Sequence, residues 1–159
     1  MEQSFDKIKY ENFKKAEKFV ITRDIFNSLD NISDLAEFFT LNENNFIEIN
    51  TPKFFENIFQ SKNLKKSEVV KKSEIERTYA YQLLNGTKKP SRDKLIQLCI
   101  GASLTFEETQ LALKYNGFKE LYPKIKRDCI IIYALKAKKS VMEAEELLYR
   151  FNQETLNNI

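Results

Sequence analysis

Between residues 66 and 86 the apolar side chains fall into two short clusters with almost no chain between them, which restricts the fold more than any other feature. Val69 and Val70 lie within a polar stretch at 67–72, and Ala80, Leu83 and Leu84 recur at helical spacing within 77–85. The link at 73–76 holds one apolar residue, Ile75. Helices this short are marginal alone, since isolated ones need about 12–15 residues to persist in water. They must therefore pack on each other and on a larger body. Val69, Val70, Ile75, Ala80 and Leu83 turn inward, and Arg77, Thr78, Tyr81 and Gln82 are left outside. Gly86 ends the second helix, at a position where a positive φ is cheap.

The rest of the chain reads as helices too. Three glycines and three prolines in 159 residues are too few for the tight turns of an all-β design. Residues 1–23 are expected to form an amphipathic helix with Phe5, Ile8, Phe19 and Val20 as its apolar positions. Ser33 is expected to cap a short helix to Thr40 that buries Leu35, Phe38 and Phe39, and 42–50 reads as a loop with one apolar patch, Phe46-Ile47. Thr51-Pro52 signals a helix start, followed by Phe54, Phe55, Ile58 and Phe59. Ser91 caps a helix to about Gly101 that buries Leu95, Leu98, Cys99 and Ala102. Thr105 with Glu108 forms a capping box ahead of Phe106, Leu111 and Leu113, and Asn116-Gly117 closes that helix. Pro123 is expected to open the next one, which contains Cys129, Ile130, Ile132, Tyr133 and Leu135. Ser140 with Glu143 caps the last, which buries Val141, Ala144, Leu147, Leu148 and Phe151. A faint repeat of period 35 runs through this half. Arg92-Asp93 matches Arg127-Asp128, Ile96 matches Ile131, Ala102 matches Ala137, and the capping boxes coincide. Two helical hairpins of like length follow one another and are expected to stack.

Charge is unevenly spread. Residues 24–61 carry seven acids and one base, whereas 62–94 carry ten bases and four acids, within a chain of net charge +3. A basic island behind an acidic stretch is the footprint of a module that contacts a polyanion. No run of about 18 apolar residues is present, so no membrane span is expected. The N-terminal stretch lacks the pattern of a secretion signal, and Cys99 and Cys129, set among aliphatic residues, are expected to be buried thiols of a cytoplasmic protein. Histidine is absent, and no P-loop, GxSxG or glycine-rich phosphate cradle occurs. No catalytic residue, cofactor or metal site is expected; the chain does not read as an enzyme.

Reading a major groove about 12 Å wide needs a short helix held against a body by a second helix across a tight turn. Residues 66–86 meet that need. At this point the sequence resembles a known family. Residues 52–117 are similar to the lambda-repressor/Cro-like helix-turn-helix domain of xenobiotic-response-element type regulators, most specifically at Asn85-Gly-Thr-Lys-Lys-Pro-Ser91. The run Ser91-Arg-Asp-Lys-Leu-Ile-Gln-Leu-Cys, then Leu104-Thr-Phe-Glu-Glu-Thr, resembles the family's fourth and fifth helices. More narrowly, residues 32–148 resemble bacterial members with a Tyr-Pro-x-x-x-Arg-Asp-x-Ile-Ile segment, here Tyr122 to Ile131.

The resemblance implies an all-α fold: a lambda-repressor-like five-helix DNA-binding domain at 51–118, an added C-terminal helical hairpin at 119–159 on the same core, and a partly helical N-terminal extension at 1–50. It implies a transcriptional regulator of double-stranded DNA, more in keeping with a repressor, acting as a homodimer on two half-sites. Base readers would be Arg77, Thr78 and Gln82; phosphate contacts would be Lys66, Ser67, Lys88, Lys89 and Ser91. Two positions depart from the pattern. Glu74 stands where the family usually has glycine, and Glu76 puts a negative charge at the start of the reading helix, where it favours the helix dipole, repels phosphate, or accepts from cytosine N4. Tyr79 and Tyr81 either stack on the nucleic-acid backbone or, as the favoured alternative, flank the core with their rings. Lys124, Lys126 and Arg127 form a further basic cluster: a second phosphate contact, an ion-pair set with Asp128 and nearby acids, or a partner surface. The rival reading keeps the fold as an adaptor or antitoxin-like module, with a protein partner on the N-terminal extension or the C-terminal hairpin.

Overall fold

The computed structural model describes residues 22–46 and 50–157, and among these it contains nine α-helices, one 3-10 turn and no strand. None of these helices is long and apolar enough to cross a membrane. The chain divides into two compact units, Met1–Glu48 and Ile49–Ile159. The helix expected over 1–23, with Phe5, Ile8, Phe19 and Val20, lies outside the described residues except at its end.

In the first unit, α1 (Thr22–Leu29) precedes α2 (Leu35–Leu41) and a 3-10 turn at Glu43–Asn45. The cap of α2 is Asp34 rather than the expected Ser33. Its carboxylate accepts from the Ala36 and Glu37 amides, and an extended backbone at Asp34 aims it there. Phe38 is buried, with the rings of Phe39 and Phe46 edge-on at 6.4 and 6.5 Å. Leu35 and Phe39, expected inside, are about half exposed, because one seven-residue helix cannot cover all its apolar side chains.

The second unit begins with α3 (Thr51–Lys62). Asn50 caps it, accepting from the Lys53 amide, and Pro52 sits in its first turn. Thr51, expected as the cap, is instead buried, its hydroxyl donating to Asn116 Oδ1 at 2.7 Å. Phe54, Phe55 and Ile58 line the core, and Asn63 ends the helix in the left-handed conformation. Next come α4 (Lys66–Lys72) and α5 (Arg77–Asn85), burying Val69 and Val70 and then Ala80, Leu83 and Leu84. The central element is α6 (Arg92–Gly101), capped by Ser91 and buried continuously from Leu95 to its end. It packs against α4, α7 (Phe106–Tyr115) and α9 (Val141–Arg150). Gly101 sets the approach of α4: a Cβ there would lie 2.8 Å from both Ser73 N and Val69 O.

Helix α8 spans Lys126–Lys136, later than expected from Pro123. Pro123 is used in a turn instead, in which the Ile125 amide donates to the Tyr122 carbonyl. Cys129, expected buried, is exposed on α8, while Cys99 is buried and its thiol is pushed far up by desolvation; neither is in a disulfide. Phe151, also expected inside, is 45% exposed at the end of α9.

The period of 35 is carried by geometry. Arg92 donates to the Lys119 and Glu120 carbonyls, and Arg127 donates to those of Glu154 and Thr155. Gln110 accepts from the Leu121 amide at 2.7 Å, and Glu145 accepts from the Leu156 amide at 2.6 Å. Both capping boxes form, and Ser103 and Lys138 after the first helix of each hairpin share a left-handed φ of 54 and 55°. Across the hairpins the pairing is reciprocal. Arg92 grips Asp128 with two nitrogens, and Arg127 grips Asp93 with two. Helix contacts follow the same exchange: α6 meets α9 and α7 meets α8. Exchange of partners in both directions is how two like units meet about a two-fold axis. The repeats therefore close on each other rather than forming a propagating stack.

Candidate nucleic-acid interface

The turn between α4 and α5 is built by side chains as well as backbone. Ser73, buried, donates its hydroxyl to the Val70 carbonyl at 2.7 Å and accepts from the Ile75 amide at 3.3 Å. Its carbonyl accepts from the amide of Gln97 on α6, a buried polar anchor that the sequence pattern did not single out. Glu74 adopts φ 57°, the left-handed conformation that a glycine would take without strain. Ile75 then plugs the core.

Helix α5 starts on Glu76, whose carboxylate accepts from the Thr78 and Tyr79 amides at 2.9 and 2.8 Å. Those two bonds hold its carboxyl below the ordinary 4.5, although the group is fully solvated. Glu76 is thus turned onto its own helix, rather than outward to accept from an external donor. At the other end Gly86 takes φ 86°, and Asn85 Oδ1 accepts from both the amide and the hydroxyl of Thr87.

Arg77 and Thr78 are exposed, and Gln82 is half-buried on the same helix. Lys66 and Ser67 are exposed at the start of α4. Between the two helices lies an open groove of about 520 Å³ lined by Ser67, Lys71, Glu74, Glu76, Arg77 and Tyr81, among others. Lys88 and Lys89 are exposed as well but line a different hollow, of about 420 Å³, together with Asn50, Pro52 and Asn116. Ser91 is exposed, and its hydroxyl oxygen accepts from the Lys94 amide at 3.3 Å. The expected residues therefore do not line one hollow. Ser67 and Arg77 share the first groove, Lys88 and Lys89 share the second, and Lys66, Thr78, Gln82 and Ser91 line neither.

Two tyrosines join the cations. Lys66 Nζ lies 5.7 Å and Arg77 Cζ 5.9 Å from the centroid of the half-buried Tyr81 ring, and Lys88 Nζ lies 5.6 Å from that of Tyr79. These are cation–π distances. The signal available in the sequence was the i, i+4 spacing of Arg77 and Tyr81; nothing local announced Lys66. Among the described residues, Lys66, Arg77, Lys88 and Lys89 form no ion pair. By contrast, Arg127 of the Lys124, Lys126, Arg127 cluster is committed to Asp93 and two carbonyls, an ion pair as one alternative had it but not with the expected Asp128, which Arg92 takes.

No family model, curated protein or solved structure matches this chain.

Proposed function

We propose that the chain is a sequence-specific double-stranded DNA-binding transcriptional regulator that reads the major groove with α5. The observation that carries this reading is a group of exposed cations with no acidic partner among the described residues, set on and around a short helix behind a tight turn. Nine residues make a helix of about 13 Å, a length that suits insertion of its first turns between the walls of the groove. Arg77 would grip guanine O6 and N7, Gln82 would pair with adenine, and the Thr78 methyl would touch a thymine methyl. Lys66, Ser67, Lys88, Lys89 and Ser91 would hold phosphates and set the register. The architecture this implies is the lambda-repressor-like five-helix domain, α3 to α7, with α8 and α9 closing on it.

One such helix makes too few contacts for tight binding at physiological salt, so the active species is a homodimer on two half-sites. The chemistry assigned to the site is recognition alone, without catalysis, metal or cofactor, in the cytoplasm. A second reading, a protein adaptor or antitoxin-like module, draws on the exposed Phe26, Leu41 and Phe46 of the acidic first unit.

Binding to duplex fragments, including the gene's own promoter, measured at several salt concentrations, decides between them. The regulator gives a steep salt slope and a preferred sequence that survives at higher salt. Absence of duplex binding at low salt removes this reading and leaves the adaptor. Sedimentation of the protein–DNA complex should give two protomers per site.

A further inference from the structure

We infer that Tyr81 is a positioning residue for DNA recognition: its ring holds Arg77 of α5 and Lys66 of α4 together and pre-sets the arginine for one base pair. The inference rests on the reading of α5 as the DNA-reading helix and adds a residue that touches no base. Arg77 and Lys66 carry like charges, lack acidic partners among the described residues, and come from different helices. Yet both sit within 6 Å of one ring centroid. The negative face of the ring offsets their repulsion. Glu76, the nearest acid in sequence, is occupied in capping α5 and does not take Arg77 as a partner.

A guanidinium resting on an aromatic ring keeps its N–H edge free while losing rotamer freedom before any ligand arrives. That lowers the ordering cost of a bidentate contact to guanine. The same ring restrains the Lys66 ammonium, a candidate phosphate contact. Tyr81 thereby couples one base reader to one backbone contact. The base pair read by Arg77 is a G·C pair.

The test is a double-mutant cycle of Tyr81→Leu and Arg77→Ala on full-length protein. The probes are the duplex selected by the unmodified protein from a random pool and its single-base-pair variants. Tyr81→Leu should weaken the selected duplex about 3- to 10-fold, as expected for one or two exposed ring–cation contacts. The loss should concentrate at the base pair that Arg77→Ala relaxes, and the double variant should fall short of the product of the singles. Tyr81→Phe, which keeps the ring, should stay within about twofold of the parent. A uniform loss over all duplexes, full additivity, or a Tyr81→Phe as weak as Tyr81→Leu overturns the inference while leaving DNA binding intact. Absence of duplex binding by the unmodified protein overturns both. Should Tyr81→Leu fail to fold, NMR of the unmodified protein decides. Upfield ring-current shifts of the Arg77 δ-methylene and Lys66 ε-methylene protons are expected, and random-coil shifts at both overturn the inference.

Discussion

Arg77 and Arg92 carry the same guanidinium in opposite settings. Arg92 lies where the two hairpins meet, its nitrogens divided between Asp128 and the carbonyls of Lys119 and Glu120. Asp128 is buried and also accepts from the Tyr122 amide, so the arginine neutralises a charge that has little water. Arg77, by contrast, is exposed, rests on a tyrosine ring and has no acidic partner among the described residues. A cation surrounded by acceptors holds a fold together. One with its donors unpaired is available to a polyanion. The difference separates charge committed to the fold from charge left open at the surface within one basic chain.

The sharpest way to break the comparison is to remove each arginine in turn. Arg92→Ala should cost about 3 kcal/mol in chemical denaturation, because Asp128 is left buried without its counter-ion. Arg77→Ala should change stability by less than about 0.5 kcal/mol, while loosening DNA discrimination at one base pair by about 2 kcal/mol. Equal stability losses for the two variants would undo the distinction. Arg127→Ala grades the argument: its partner Asp93 is 29% exposed, so the loss should be nearer 1 kcal/mol.

Gly101→Ala tests how far the two regions depend on each other. The added Cβ meets backbone of Ser73 and Val69, which cannot rotate away, so a loss of about 2 kcal/mol is expected from overpacking. Because that contact seats α4, DNA affinity should fall along with thermal stability. Unchanged affinity at equal folded fraction would mean the recognition surface tolerates displacement of α4.

Smaller effects probe the turn. Glu74→Gly should stabilise the protein by about 1 kcal/mol, since φ 57° strains a residue with a Cβ. It should also tighten duplex binding by removing a negative charge from the groove. Glu76→Gln should give the smallest change and one that depends on pH. The folded-state carboxyl titrates below the ordinary 4.5, so the cap's contribution is fully present above that value. It is lost as pH falls through the lowered folded-state value. The melting-temperature gap between parent and variant should therefore be widest near neutrality and close in acid. A gap that stays constant to low pH would show that the carboxylate is not what caps α5.

Much of the helical layout was legible because local signals decide it. The limits of α5, the left-handed Gly86, the Ser91 cap and both capping boxes follow from residues within four positions of each other. The failures came where tertiary contacts competed with a local signal. Thr51 was drawn from its capping role by Asn116, and Pro123 served a turn that leads into α8 instead of starting it. Cys129 and Phe151 carry apolar side chains, but the described residues leave both exposed. The repeat was visible only as scattered identities. Its reciprocal ion pairs could not be read, since spacing along a chain does not say which of two like units an arginine will face.

The sequence by itself determined that the described chain is helical, where its caps fall, and that its positive charge gathers around α4 and α5, because propensity, capping and charge are local properties. Tertiary structure decided which of those charges are already taken. Arg92 and Arg127 have look-alike neighbours in the sequence, and only the meeting of two hairpins commits them to Asp128 and Asp93. Lys66 is separated from Tyr81 by the whole turn, and only the packing of α4 on α5 brings its ammonium to the ring. Electrostatic partners are chosen by distance in space, and that distance is a property of the assembled fold.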